Sequence, residues 1–247
     1  MKTYLKFLKI EGKLVIRAID SIFFGVGMPV VIMLLIGMIN GKKEAFDGAG
    51  YTMIQSSFGA LITVGICASA FMGLPLTIAD YRDKKILKHF FVTPINPSFL
   101  LYVHVTLHVV LAIVSSVFVF LSANIAFGYE MRGSWVYFIL SYFLVMGAMY
   151  SLGMMLASIC KSIKSANMIC SLVYFPMLLL SGATIPYEIF PSALQKIANV
   201  LPLTQGIKLL KNVSLGLNLD SSLFSIMVLV AFIVIGGFIS IKTFRFE

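Results

Sequence analysis

The chain has 247 residues, of which 60% are hydrophobic and 12% are charged, whereas a soluble domain has about 25% charged residues. This composition excludes a soluble globular protein, and at this length it leaves no room for a soluble domain beside the membrane spans located below. The net charge of +9 does not indicate a nucleic-acid partner, because the cations lie between the apolar stretches and form no single basic patch.

Residues 1–20 are predicted to form an amphipathic helix at the membrane surface. Cations recur there at steps of three and four residues, which places them on one helical face. Such a helix lies in the membrane interface with its cations toward anionic lipid headgroups; a solvated tail is the alternative. The cations of this face are Lys2, Lys6, Lys9, Lys13 and Arg17.

Residues 21–247 are predicted to form one all-α membrane domain with six spans. Crossing a bilayer core takes about 20 apolar helical residues, and six stretches approach that length. Most of the 19 Lys and Arg residues precede the first span, follow the second or fourth, or end the chain. The positive-inside rule then places both termini of this multi-pass cell-membrane protein in the cytoplasm. The predicted spans are Ile22–Ile39, Ile54–Ile78, Phe99–Phe127, Trp135–Ile159, Ala166–Ile185 and Leu223–Ile241.

The spans contain almost no ionisable side chains, which argues against catalysis or ion-coupled transport inside the bilayer. His104 and His108 are the exception, since they stand four residues apart on one face of the third span. No third ligand stands near them in the sequence, so we expect them to bond neighbouring helices or to line a cavity rather than to hold a metal. An intramembrane enzyme that uses both histidines is the weakest alternative.

The chain also lacks a Gly-x-x-x-x-Gly-Lys-Ser/Thr loop, the device that cradles nucleotide phosphates. If ATP drives this protein, we therefore expect another polypeptide to hold it. No cofactor is expected on this chain.

The segment 80–97 joins the second and third predicted spans and is predicted to dock on a partner. A short helical stretch there ends at two X-Pro pairs, and its apolar side chains share one face framed by lysines. Exposed apolar anchors framed by charge suit a groove on another protein; burial against the chain's own spans is the alternative. The apolar residues are Ile86, Leu87, Phe90 and Phe91.

The segment 186–220 follows the fifth predicted span and is only half polar. Three prolines, Pro186, Pro191 and Pro202, divide it into short pieces. We expect one or two short amphipathic helices that dip back into the outer leaflet under cover of protein. A surface loop is the alternative.

The docking segment carries, in order, an Arg–Asp pair, a leucine, a Phe pair and a Thr-Pro: Arg82, Asp83, Leu87, Phe90, Phe91, Thr93 and Pro94. This pattern resembles the connection between the second and third spans in permeases of the ABC type-2 exporter family. In that family the connection usually also has a glycine and a helix glutamate, and Lys85 and Lys88 stand in their places here.

The outer segment carries a second match, which runs from Ser181-Gly182 through Pro186, Phe190-Pro191 and Leu201-Pro202. It is similar to the family's outer re-entrant segment after the fifth span. With the basic amphipathic start, the resemblance extends over nearly the whole chain.

The resemblance implies a permease subunit without an active site of its own. It implies a cytoplasmic ATPase partner that holds ATP and Mg, a second permease subunit that is identical or different, and surrounding membrane lipid. The seven residues of the docking pattern would contact the ATPase, and a drug, peptide, lipid or glycan-like substrate would be exported. A self-contained channel or carrier is the alternative. The outer gate would comprise Pro186, Phe190, Pro191 and Pro202.

Overall fold

The computed structural model describes residues 2–17, 22–40, 43–45, 48, 50–86, 97–183, 187, 190–217 and 222–244. These residues form helices and short connections, and the extended structure among them is one isolated bridge between Glu44 and Thr52. The all-α fold class is confirmed.

The α-helices are numbered here in chain order, and two short π-helical turns interrupt the regular pattern. One turn, Phe23–Gly27, leads into α2; the other, Ser69–Gly73, joins α3 to α4 in one continuous rod. The helices are α1 Lys2–Arg17, α2 Met28–Asn40, α3 Met53–Ala68, α4 Leu74–Asp83, α5 Pro97–Phe127, α6 Trp135–Ile159, α7 Ile163–Leu180, α8 Ser192–Ala198, α9 Pro202–Leu215 and α10 Leu223–Thr243.

Five helical stretches among the described residues are long and apolar enough to cross a membrane. Gly25–Asn40, at the place of the first predicted span, is apolar but shorter. The membrane character is therefore confirmed, and the count of six spans stays a prediction. The five stretches are Met53–Asp83, Phe99–Phe127, Trp135–Ile159, Ile163–Leu180 and Leu223–Thr243.

The rod of α3 and α4 lies at the centre of the bundle, and 78% of its most apolar stretch is buried. In α5, α7 and α10, by contrast, only 22% of the most apolar stretch is buried. On α7 the exposed side chains Met168, Leu172, Phe175 and Leu179 recur at helical spacing. Such a stripe is stable against lipid tails or against another membrane subunit, whereas in water it would favour aggregation.

Small residues let the central rod approach its neighbours closely. A Cβ atom added at Gly153 of α6 would lie 2.2 Å from the carbonyl oxygen of Ala70 in the rod. On the other side of α6, the Ser151 hydroxyl donates to the Ile233 carbonyl of α10 at 2.9 Å. Backbone contacts of this kind supply the packing that hydrophobicity cannot supply inside a bilayer.

Helix α1 packs along the start of α5 through an aromatic stripe. The Tyr4 hydroxyl lies 2.7 Å from the Thr106 hydroxyl, and the rings of Tyr4 and Phe7 both meet the edge or face of Phe99. Glu11 continues the same stripe toward the protein, while Lys9 and Lys13 are exposed. The buried face of α1 is therefore aromatic and acidic, which the pattern of its cations did not predict.

Candidate functional site

The docking segment begins at the end of α4, where the structure shows what Arg82 and Asp83 contact. The Arg82 guanidinium donates to the carbonyl oxygens of Ala157 and Cys160, which end α6. The last carbonyls of a helix have no partner within that helix and carry its negative dipole charge. Arg82 thus satisfies the end of α6 with a positive charge.

Asp83 acts on the next helix in the same way, with the opposite sign. Its carboxylate accepts a hydrogen bond of 2.8 Å from the amide of Ile163, the first residue of α7. The first amides of a helix lack partners and favour a nearby anion. Ser162 and Ser165 satisfy further groups there through a capping box. We call Arg82 and Asp83, with the turn they hold between α6 and α7, the brace.

The brace lies at one end of the bundle, together with α1 and the last turn of α10. The Arg82 guanidinium carbon is 5.4 Å from the ring centre of Phe244. Lys84, which is 63% exposed at its side chain, pairs with Asp80 at 2.7 Å. This end carries most of the described cations, and we call it the basic end.

Lys85 adopts a left-handed backbone with a φ of 56°. Its amide donates to the Arg82 carbonyl at 3.0 Å, just beyond the end of α4. Residues with a side chain rarely adopt this conformation, and glycine is the usual residue after a helix C-terminus for that reason. Lys85 stands where the family pattern usually has a glycine. Glycine fits this left-handed backbone conformation better than lysine does.

Of the predicted docking residues, the structure describes only the brace pair. Leu87, Phe90, Phe91, Thr93 and Pro94 lie outside the described residues. The hydrogen bonds of Arg82 and Asp83 join α4 to the end of α6 and to the start of α7, so these two side chains position the turn between those helices.

The two histidines line a cavity at the basic end, which is one of the two arrangements expected for them. Both are 1% exposed. The Nε2 atom of His108 lies 3.4 Å from the Thr77 hydroxyl, and its ring sits where a side chain at Gly73 would have to be. Within the described ranges, no three His, Cys, Asp or Glu side chains are placed to hold a metal ion.

A buried contact of Glu11 is the feature of this end that sequence reasoning missed. The Tyr81 hydroxyl of α4 donates to the Glu11 carboxylate, and the Nε2 atom of His104 is 3.9 Å from the same carboxylate. Glu11 is the one acid among residues 1–19. The sequence signal for this buried contact is the single carboxylate within a lysine-rich helix.

The opposite end of the bundle contains the outer segment. Phe190 precedes Pro191, which is the N-cap of α8, and Pro202 is the buried first residue of α9; Pro186 lies outside the described residues. Helix α9 packs against α3, α6 and α10, and its Gln205 accepts a hydrogen bond of 2.6 Å from Ser225 of α10. The segment therefore contains two short helices, and the second is largely buried.

A cavity of about 410 Å³ opens beside α9. Two of its lining lysines lie over tyrosine rings: Lys208 Nζ is 3.6 Å from the ring centre of Tyr187, and Lys211 Nζ is 5.3 Å from that of Tyr51. Each contact holds an ammonium over the negative face of a ring. The gate role of Phe190, Pro191 and Pro202 stays a prediction.

The sequence of this chain is similar to those of known membrane transport proteins. Residues 7–215 match the family model described as ABC-2 type transporter. The inner membrane transport permease YhhJ of Escherichia coli is 27% identical over 129 residues, which are 52% of this chain and 34% of that protein. Nodulation protein J of Rhizobium leguminosarum is 36% identical over 98 residues, which are 40% of this chain and 38% of that protein. The matched regions thus span little more than a third of each relative.

Proposed function

Since the chain belongs to the ABC-2 type transporter family, we propose that it is the permease subunit of an ATP-driven exporter. Membership of this family identifies the chain as a multi-pass membrane transport permease. The outward direction, the ATP drive and the separate ATPase subunit are what the resemblance of the docking and outer segments to ABC type-2 exporter permeases implies. The exported substrate would be drug-, peptide-, lipid- or glycan-like.

The observation that carries the proposal is the brace. Arg82 and Asp83 end the central rod, and they are bonded to the end of α6 and to the start of α7. The predicted docking residues Leu87, Phe90 and Phe91 follow in the chain within eight residues of Asp83. A partner that pushes on them would move the rod, α6 and α7 together, because charge-assisted hydrogen bonds join the three helix ends.

The energy source would be a cytoplasmic ATPase that holds ATP and Mg. The sequence has no phosphate-binding loop of the Gly-x-x-x-x-Gly-Lys-Ser/Thr type. Two permease subunits, identical or different, would enclose the substrate path, and substrate would leave past Pro186, Phe190, Pro191 and Pro202. The cations of the basic end favour a cytoplasmic position for it, and with it for both termini.

Copurification tests the proposal. Tagged chain extracted from native membranes should bring down a protein with a Walker-type phosphate loop. Phe90→Glu or Phe91→Glu should abolish this association and leave membrane insertion intact, because a charge replaces an apolar docking anchor.

Leu217→Glu is the matched control. This leucine is 47% exposed and lies at the opposite end of the bundle, so the same charge change should leave copurification unaltered. If no ATPase copurifies with the wild-type chain, and vesicles containing it transport without ATP, the self-contained carrier is correct instead.

A further inference from the structure

A cavity of about 440 Å³ lies at the basic end between α1, α4 and α5. Its size falls within the range of small-molecule sites, roughly 300–1,000 Å³. Its apolar wall is formed by Leu14, Val15, Leu76 and Ile86. The polar wall is formed by Glu11, Thr77, Asp80, Tyr81, Lys84, His104 and His108.

Glu11 brings into this wall a carboxylate that pairs with no lysine or arginine among the residues that the structure describes. It is 8% exposed, and it accepts a hydrogen bond from the Tyr81 hydroxyl. The Nε2 atom of His104, at 3.9 Å, is too distant for a hydrogen bond. A buried carboxylate is costly unless a cation or several donors compensate it.

His104 adds an unsatisfied acceptor to the same wall. It is 1% exposed, and neither of its ring nitrogens has a hydrogen-bond partner among the described residues. A neutral imidazole has one accepting and one donating nitrogen. Its ring meets Tyr81 edge-on, with the ring centres 4.8 Å apart.

The other charged groups of the wall are already paired. The ammonium of Lys84 lies 2.7 Å from the Asp80 carboxylate, so these two charges compensate each other. The Nε2 atom of His108 faces the Thr77 hydroxyl at 3.4 Å, whereas its Nδ1 atom has no hydrogen-bond partner among the described residues. Among the described residues that line the cavity, no donor of positive charge therefore reaches Glu11 and His104 together.

We propose that this cavity binds a protonated primary amine carried by an amphiphile at the cytoplasmic membrane surface. An ammonium has three N–H donors, which suit the Glu11 carboxylate and the accepting nitrogen of His104, while the Tyr81 ring offers a cation–π face. The first methylenes of the amphiphile fit the wall of Leu14, Val15 and Leu76. The amine belongs to a lipid headgroup or to a free single-chain amine.

The amine would attach α1 to the rest of the bundle. Glu11 is on α1, Tyr81 on α4 and His104 on α5, so one ligand contacts three elements at once. Because α1 is amphipathic and lies where the interface is expected, an interfacial amine reaches the cavity without crossing the bilayer.

Calorimetric titration of the purified full chain with dodecylamine tests this proposal, with dodecanol as the uncharged probe. We expect dodecylamine to bind and dodecanol to bind far more weakly. Glu11→Gln should weaken dodecylamine binding about 10-fold or more, since it removes the charged partner of the ammonium. Glu44→Gln, an acid at the opposite end, should change nothing.

A second variant keeps the test decisive if Glu11→Gln does not fold. Val15→Phe adds volume inside the cavity without altering its charges, and it should also weaken dodecylamine binding. Equal affinity for amine and alcohol overturns the proposal, and so does unchanged binding in both variants. Zinc binding that is lost in Glu11→Gln, without any amine binding, overturns it in favour of a metal site.

Native mass spectrometry distinguishes the two sources of the amine. Preferential retention of an ethanolamine lipid over a choline lipid, from an equimolar mixture, identifies a lipid headgroup, because choline has no N–H donor. Dodecylamine binding without such retention identifies a free amphiphile. Neither measurement involves an ATPase, so its result is separate from that of the copurification experiment.

Discussion

At the scale of single residues, the basic end departs from the family pattern at Lys85. A lysine occupies a left-handed position there, next to residues that hold two other helices in place. An L-residue in this conformation costs about 1–2 kcal/mol relative to the right-handed one. The chain therefore stores backbone strain directly after the brace.

Lys85→Gly should raise the free energy of unfolding by about 1 kcal/mol, because glycine adopts a φ of 56° without a side-chain clash. The midpoint of thermal unfolding in detergent measures this effect. Lys85→Ala is the control, since it removes the same charge but keeps a Cβ atom. A gain of equal size in both variants would assign the effect to charge and not to backbone strain.

Gly153 is the second residue-scale case. Its Cα faces the carbonyl oxygen of Ala70, so Gly153→Ala should destabilise the bundle by about 1–3 kcal/mol through overpacking. Gly147→Ala on the same helix is the matched control, because the added methyl would meet only the Ile233 side chain at 3.4 Å. Thermal unfolding of both variants compares them, and equal midpoints would contradict the close approach.

At the scale of elements, the chain stabilises its helix ends through neighbours in space. The end of α6 is satisfied by Arg82 and the start of α7 by Asp83, two adjacent residues of a third helix. The opposite signs of the two side chains match the opposite dipole charges of the two helix ends. This arrangement fixes the turn between α6 and α7 relative to the central rod.

Asp83→Ala should therefore loosen the start of α7. The expected cost is about 1 kcal/mol, typical for a lost N-terminal cap, with faster hydrogen exchange at the Ile163 amide. Asp80→Ala is the control on the same helix, because its partner Lys84 is exposed and such surface pairs contribute about 0–1 kcal/mol. Protection at Ile163 that is unchanged in Asp83→Ala would rule out the cap.

At the scale of the whole molecule, one bundle has two chemically different ends. The basic end contains the brace and the cavity lined by Glu11 and His104, and the other end contains α8, α9 and a cavity with two lysines. Exposed apolar side chains cover α5, α7 and α10 between them. This distribution is what a membrane transport protein requires, with separate surfaces toward each side of the bilayer.

The orientation of these ends is testable by cysteine labelling. The native cysteines Cys67, Cys160 and Cys170 are free and buried, and burial further raises the pKa of the Cys160 thiol, so they react slowly. An impermeant maleimide should label Lys43→Cys in intact cells. Lys84→Cys should be labelled only after the cells are opened. The reverse pattern would invert the bundle and remove the docking segment from the cytoplasm.

The apolar stretches from residue 54 to 241 predicted helices that the structure largely reproduces, since the cost of burying backbone groups in lipid permits little else. The helix boundaries differ from the predicted ones where a capping residue sets the start of a helix. Helix α7 begins at Ile163, three residues before the predicted start, because Ser162 caps it. The sequence places Arg82 beside Asp83, but nothing in it indicates that α6 and α7 are their partners.

The amino-acid sequence by itself determined the membrane environment, the helical class and the transporter family, because these depend on composition and on residues close together in the chain. Only the tertiary structure decided the contacts of Arg82, Asp83 and Glu11, which are made with residues 70 to 80 positions away. Such contacts depend on which helices are neighbours, and every long apolar helix presents a similar surface to lipid and to protein. Apolar periodicity therefore cannot select the partner; the fit of backbones and charges does.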